Sequence, residues 1–175
     1  MPWLKYDTGP IFTDTLVNRD QAPCVDESGY TSEYTKPCGF WITDDSEECW
    51  RSWCLSNDWA DRITHKHEVD LDENRILILR TSYEVECFSR QYGFEHHWKE
   101  GRFQRWCINW PEVAHQHAGI IIAPYQWSLR MKHGFSWYYV WDCASGCIWD
   151  VSAIKDVRLV EINPCAAPEN GERAA

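Results

Sequence analysis

Twelve tryptophans in a chain of 175 residues set the packing problem that this sequence has to solve. A buried indole removes a large apolar area from water, but its N–H then needs an acceptor. A domain of this length hides roughly two-thirds of the surface that its unfolded chain exposes. Eight Tyr and six Phe compete for the same interior. A core this small cannot enclose them all, so some aromatic side chains are expected to wall a groove or an interface. Length and an ordinary hydrophobic share fit one domain, over residues 1–162. The remainder, NPCAAPENGERAA, is rich in Pro, Ala and Glu and is expected to be disordered beyond Cys165.

The opening MPWLK has neither the basic nor the apolar region of a secretory signal, and the longest apolar run, residues 119–124, is too short to cross a bilayer. Nine cysteines at irregular spacing are an odd number. Together these features predict a cytoplasmic protein with free thiols rather than a disulfide framework, and no membrane partner. A net charge of −10 opposes tight non-specific binding to nucleic acid. Arg102, Arg105, Arg130 and Lys132 are the candidates for a local basic patch.

Periodicity supplies the elements. Strands are expected at residues 2–6, 39–43, 64–72, 75–79, 119–123, 136–142, 146–151 and 156–162. In residues 64–72, His65, His67, Val69 and Leu71 fall on one face. Helices are expected from an Asp44, Asp45 or Ser46 cap to about Asn57, from the Thr81/Glu84 capping box through Val85, Phe88 and Tyr92, and from Asn109 or Trp110 to just before Gly119. Residues 93–107 read as a long aromatic and basic loop. The result is an α+β domain with mixed, mainly antiparallel sheets and about three short helices.

Few constellations carry chemistry on their own. On a strand, His65 and His67 share a face, as two ligands of one ion must, whereas His115 and His117 on a helix do not. Neither H-E-x-x-H nor CxxC accompanies them, and no metal is expected. There is no P-loop, no G-x-G-x-x-G and no G-x-S-x-G elbow. Cys143 and Cys147 read as packing residues. Three segments combine aromatics with one or two polar groups: LKYDT at 4–8, GFWIT at 39–43 and WDCASGCIWD at 141–150. They read either as core strands with polar turn residues or as the walls of a cleft in which aromatic faces stack on a planar ligand. Strand alternation would put Trp137, Tyr139 and Trp141 on one face and Tyr138, Val140 and Asp142 on the other.

KPCGFWIT followed by an acidic helix start and WRSWC resembles the K-P-x-G-L-W-x-S stretch of small phage and bacterial proteins with the ADP-ribosyltransferase-like fold. RILIL, NWPEVAHQHAGIIIAPY and WYYVWDCASGCIWD follow in the same order. The resemblance implies a split β core that binds NAD between two small sheets and transfers ADP-ribose to a protein or nucleic-acid acceptor. It puts LKYDT in the place of the first family motif, without that motif's His, so that Lys5, or Tyr6 and Asp7, would contact the nicotinamide ribose. Gly39, Phe40, Trp41, Ile42 and Thr43 match the second motif, which implies Trp41 beside the nicotinamide and Thr43 on the cofactor. The third motif supplies a carboxylate, usually Glu, for which Asp142 and Asp150 are the candidates. An acidic, tryptophan-rich surface that binds and inhibits a host or defence protein is the competing, non-enzymatic expectation.

Overall fold

The computed structural model describes residues 2–18, 36–98 and 103–164, and within them the alternating segments become two sheets. Nine strands are present among the described residues: β1 (Trp3–Asp7), β2 (Phe40–Thr43), β3 (His65–Leu71), β4 (Ile76–Leu79), β5 (Gly93–Trp98), β6 (Phe103–Ile108), β7 (Gly119–Ile122), β8 (Ser145–Ile148) and β9 (Ile154–Ile162). The helices are α1 (Trp50–Ser56), α2 (Ser82–Tyr92), α3 (Trp110–Gln116) and α4 (Trp127–Arg130). Seven strands form one sheet in the order β4-β7-β8-β2-β1-β3-β9, and β5 pairs with β6 apart from it. Only β4 and β7 run parallel, so the protein is α+β with mixed, mostly antiparallel sheets.

The large sheet is nearly severed in its middle. β1 lies against β3 over five registered pairs and β2 against β8 over four, but β1 and β2 share one, Leu4 opposite Thr43. Two packed regions form the core, and the larger reaches across the seam from β4 to β9. The larger core takes in Trp110, Trp137, Trp141 and Trp149 with β7, β8 and the inner face of α2. The smaller one is built from Leu4, Tyr6, Cys54 and Ile63, with Trp50 and Trp53 packed against it. Several indoles find acceptors: Ser89 on α2 receives Trp106 at 3.0 Å and Trp137 at 3.1 Å, and Trp149 donates to the His117 carbonyl at 2.7 Å, whereas the buried Trp141 N–H has no partner among the described residues. The aromatic surplus falls where packing leaves it, with Trp127 and Trp59 exposed by 57% and 38%.

Most local expectations hold within a residue or two, including the alternation of β3 and the Thr81/Glu84 capping box. Four do not. Residues 93–98 and 103–108 form the β5–β6 hairpin rather than a loop, because their alternation pairs Gly93 with Ile108 through to Trp98 with Phe103. Residues 136–142 form no strand; Tyr138 N–H donates to Phe135 and Trp141 N–H to Tyr138, a run of turns that buries Trp137, Tyr138 and Trp141 together and leaves Tyr139 exposed. Helix α1 begins at Trp50, later than the acidic run, because Asp44 spends its carboxylate on Ser46. Cys38 is disulfide-bonded, against the expectation of free thiols, while Cys49, Cys54, Cys87, Cys107, Cys143 and Cys147 are in no disulfide. The expected disordered tail beyond Cys165 lies outside the described residues. No helix among those described is long and apolar enough to cross a membrane.

Candidate functional site

Beyond Leu4 and Thr43 the two central strands diverge, and a cleft of about 580 Å³ opens between them. One wall is β1 and its continuation, with Lys5, Tyr6, Asp7 and Thr8; the other is β2, with Trp41, Ile42 and Thr43. Trp50 from α1, Asp61 and Arg62 from the turn that follows it, Lys36 from the segment before β2, and Asp142, Cys143 and Ser145 at the start of β8 add to the lining. Past the Leu4–Thr43 pair no further β1–β2 register is formed, and residues of both strands line the space. A splayed sheet therefore offers a ligand both aromatic faces and main-chain hydrogen-bonding groups.

The sequence brings together here six of the eight residues singled out from its motifs: Lys5, Tyr6, Asp7, Trp41, Thr43 and Asp142. Two fall elsewhere. Gly39 lies just before β2, where a Cβ would stand 2.5 Å from the Ile148 carbonyl oxygen, so its smallness serves the approach of β2 to β8. Asp150 caps the turn at residues 151–153 through Ser152 N–H and forms an ion pair with Arg75. Its hydrogen bonds to Ser152, with the Arg75 charge, hold its carboxyl below the usual carboxylate range. These are structural duties, and of the two third-motif candidates they leave Asp142 at the cleft, where Asp7 and Asp61 also line the wall.

Each lining group is held in a definite way. Asp142 receives Arg130 at 3.1 Å. Lys5 reaches Asp7 at 3.4 Å and lies 5.5 Å from the Phe40 ring centre. Trp41 is braced at its edge by Trp141, with ring centres 5.0 Å apart, and carries the Lys36 ammonium 4.6 Å over its face. The Thr43 hydroxyl donates to the Ala144 carbonyl at 2.7 Å and accepts Trp50 N–H at 3.0 Å, so its one proton is committed within the protein. Trp50 stacks on Trp53 with ring centres 5.1 Å apart. Tyr6 Oη is buried without a hydrogen-bond partner among the described residues.

Titration separates the groups that can act from those that cannot. Burial pushes the Cys143 thiol up to about 12, so it stays protonated and is a poor nucleophile. Burial likewise raises Tyr6 above an ordinary phenol and pulls Lys36 below an ordinary lysine, against the Asp142 charge that favours its protonated form.

The remaining candidates lie apart. His65 and His67 are neighbours on β3 with ring centres 6.5 Å apart, but His67 accepts Ile11 N–H at Nε2 and holds the Lys5 carbonyl at Nδ1. Among the described residues no group of three His, Cys, Asp or Glu side chains could hold a metal ion. Arg105, Arg130 and Lys132 do gather, around a second cavity of about 330 Å³ also lined by Tyr139. Lys132 is paired with Glu86 at 2.6 Å and Arg130 with Asp142, which neutralises most of that patch. Arg102 lies outside the described residues. Lys36 and Trp50 were missed as site residues in the sequence: one sits inside the quoted KPCG string and the other on a helix face that reads as core.

Comparison of the chain with protein-family models, with curated proteins and with solved structures gives no match.

Proposed function

We propose that the cleft binds NAD and that the protein is an NAD-dependent ADP-ribosyltransferase. The observation that carries this reading is the meeting of Trp41, Asp142 and the β1 trio Lys5, Tyr6 and Asp7, from three distant segments, on one cleft at a split in the sheet. The residues suit a dinucleotide. The volume falls within the range of about 300–1,000 Å³ typical of small-molecule sites, and the indoles of Trp41 and Trp50 offer faces for planar rings.

Bound NAD would supply an activated ribosyl carbon with nicotinamide as its leaving group. Asp142, fixed by Arg130, presents a carboxylate that stabilises positive charge developing beside it. Trp41, wedged against Trp141, is a rigid platform rather than a mobile flap. Trp50, whose N–H is held by Thr43, sets the opposite aromatic surface. A protein or a nucleic acid as acceptor fits this reading equally.

The deciding experiment is thermal shift with NAD, together with nicotinamide release in a bacterial lysate. The expected result is a raised Tm and release of nicotinamide that Asp142→Ala removes. The absence of both a shift at millimolar NAD and any release would overturn the reading. One observation favours the non-enzymatic alternative of a protein binder: Trp127, Met131 and Tyr139, exposed by 57%, 80% and 51%, lie on the segment around Arg130, in the residue types that dominate interface hot spots. A stoichiometric partner lost on Trp127→Ala, with no NAD binding, would establish it instead.

A further inference from the structure

Lys36 differs from the other cations of the cleft. Lys5 is paired with Asp7 at 3.4 Å, and Arg62, which also lies over an indole, Trp59 at 4.7 Å, is exposed and open to water. The Lys36 ammonium stands 4.6 Å over the Trp41 ring centre and makes neither a hydrogen bond nor an ion pair among the described residues. An indole face attracts a cation but accepts none of its three N–H donors in the way an oxygen does. The nearest help, the Asp142 carboxylate, is already held by Arg130. A half-buried ammonium that meets no acceptor in the cleft wall among the described residues is left to pair with water or with a ligand. Tyr6 Oη, on the facing wall, is a buried donor left without a partner among the described residues. Both unmet demands are for an oxygen-rich ligand, and at Lys36 for a negatively charged one.

The geometry points to Lys36 as the anchor for an anionic phosphate group of the cleft's ligand, held between the Trp41 face and the β1 wall. This inference rests on the reading of the cleft as a nucleotide site and specifies it: the pyrophosphate, rather than the nicotinamide ribose, is what Lys36 grips. The cation bound to Trp41 on one side is then completed by an anion on the other. Lys36 is here a binding residue and takes no part in bond breaking.

Calorimetric titration of the full chain and of Lys36→Met and Lys36→Arg, with NAD, ADP-ribose, nicotinamide riboside and inorganic pyrophosphate as probes, tests it. Lys36→Met is expected to weaken NAD and ADP-ribose by about tenfold to a hundredfold, the range for losing a charge-assisted hydrogen bond. Nicotinamide riboside, which lacks the pyrophosphate, should be unaffected, and Lys36→Arg should recover part of the loss. Without ligand, Lys36→Met should melt no lower than the natural chain, because it removes a half-buried charge that has no ion-pair partner among the described residues. Equal weakening of nicotinamide riboside, or a fall in Tm without selective loss of the phosphorylated probes, would overturn the assignment. The two readings fail separately. Pyrophosphate bound by the natural chain but not by Lys36→Met, with no NAD binding, keeps the anchor and removes NAD. NAD bound equally by both chains keeps NAD and removes the anchor. Binding of none of the probes removes both.

Discussion

Arg130 and Asp142 form an ion pair of 3.1 Å at the border between the cleft and the second cavity, with each side chain about a quarter exposed. The arginine is itself surrounded by rings, 5.3 Å from the Tyr139 centre and 5.8 Å from that of Trp127. Asp142 thus has its direction fixed from outside the cleft. Asp142→Asn keeps the shape but removes the charge, and it is expected to lower nicotinamide release by about a hundredfold to a thousandfold, as for loss of one preorganised stabilising group. Binding of NAD should change far less. Comparable losses in affinity and turnover would mean that Asp142 holds the ligand rather than assisting the reaction.

Thr43 lends itself to a different prediction because its hydroxyl is occupied on both sides. Thr43→Val removes the donor to Ala144 and the acceptor of Trp50 N–H without changing side-chain volume much. Leaving those groups unsatisfied is expected to cost about 1–3 kcal/mol, read as a lower midpoint in urea. NAD affinity should fall through displacement of Trp50. An unchanged midpoint with lost affinity would place the hydroxyl on the ligand instead.

His67 makes stability depend on pH. Its Nε2 accepts Ile11 N–H at 3.0 Å, which requires that nitrogen to be unprotonated and leaves the proton on Nδ1, facing the Lys5 carbonyl. Burial is the main cause that draws it below its ordinary value of 6.5; the His65 ring and Lys5 act in the same direction, while the Lys5 carbonyl and Asp7 oppose them. The folded protein therefore takes up this proton less readily than the unfolded chain does. The contribution is complete above about pH 6.5 and is lost as pH falls through the lower folded value. Tm should decline between pH 7 and pH 5, and less steeply in His67→Gln. His117, also lowered by burial, supplies the slope that remains. Identical slopes in both chains would refute the role of His67.

The parts of the fold that were legible from sequence are those where one local rule acts without competition. β3 alternates cleanly, and α2 carries its own capping box. The segment Phe135 to Trp141 misleads because Trp, Tyr and Val favour strands while spacing their buried members, Trp137, Tyr138 and Trp141, as a turn of helix would. That interval of one and three residues was visible and outweighed by propensity. The β5–β6 hairpin was hidden by its mixture of aromatic and charged residues, which packs as a ribbon apart from the main sheet. Six site residues were legible because their motifs pair an aromatic with a polar group on a short strand. Lys36 was not, since only the folded chain sets its ammonium over the Trp41 ring with no carboxylate within ion-pair reach among the described residues.

The seam at Leu4 and Thr43 has a consequence for how the protein stays apart from its own copies. Unpaired strand margins usually sit at the rim of a sheet, where a neighbouring molecule can add to them. Here two such margins lie in the middle of a seven-stranded sheet, each backed by a full ladder on its far side and closed in by Trp41 and Trp50. Reactive backbone is displayed to something the size of a small molecule and fenced from anything the width of another sheet. The same opening that makes the cleft keeps it from becoming a site of self-association.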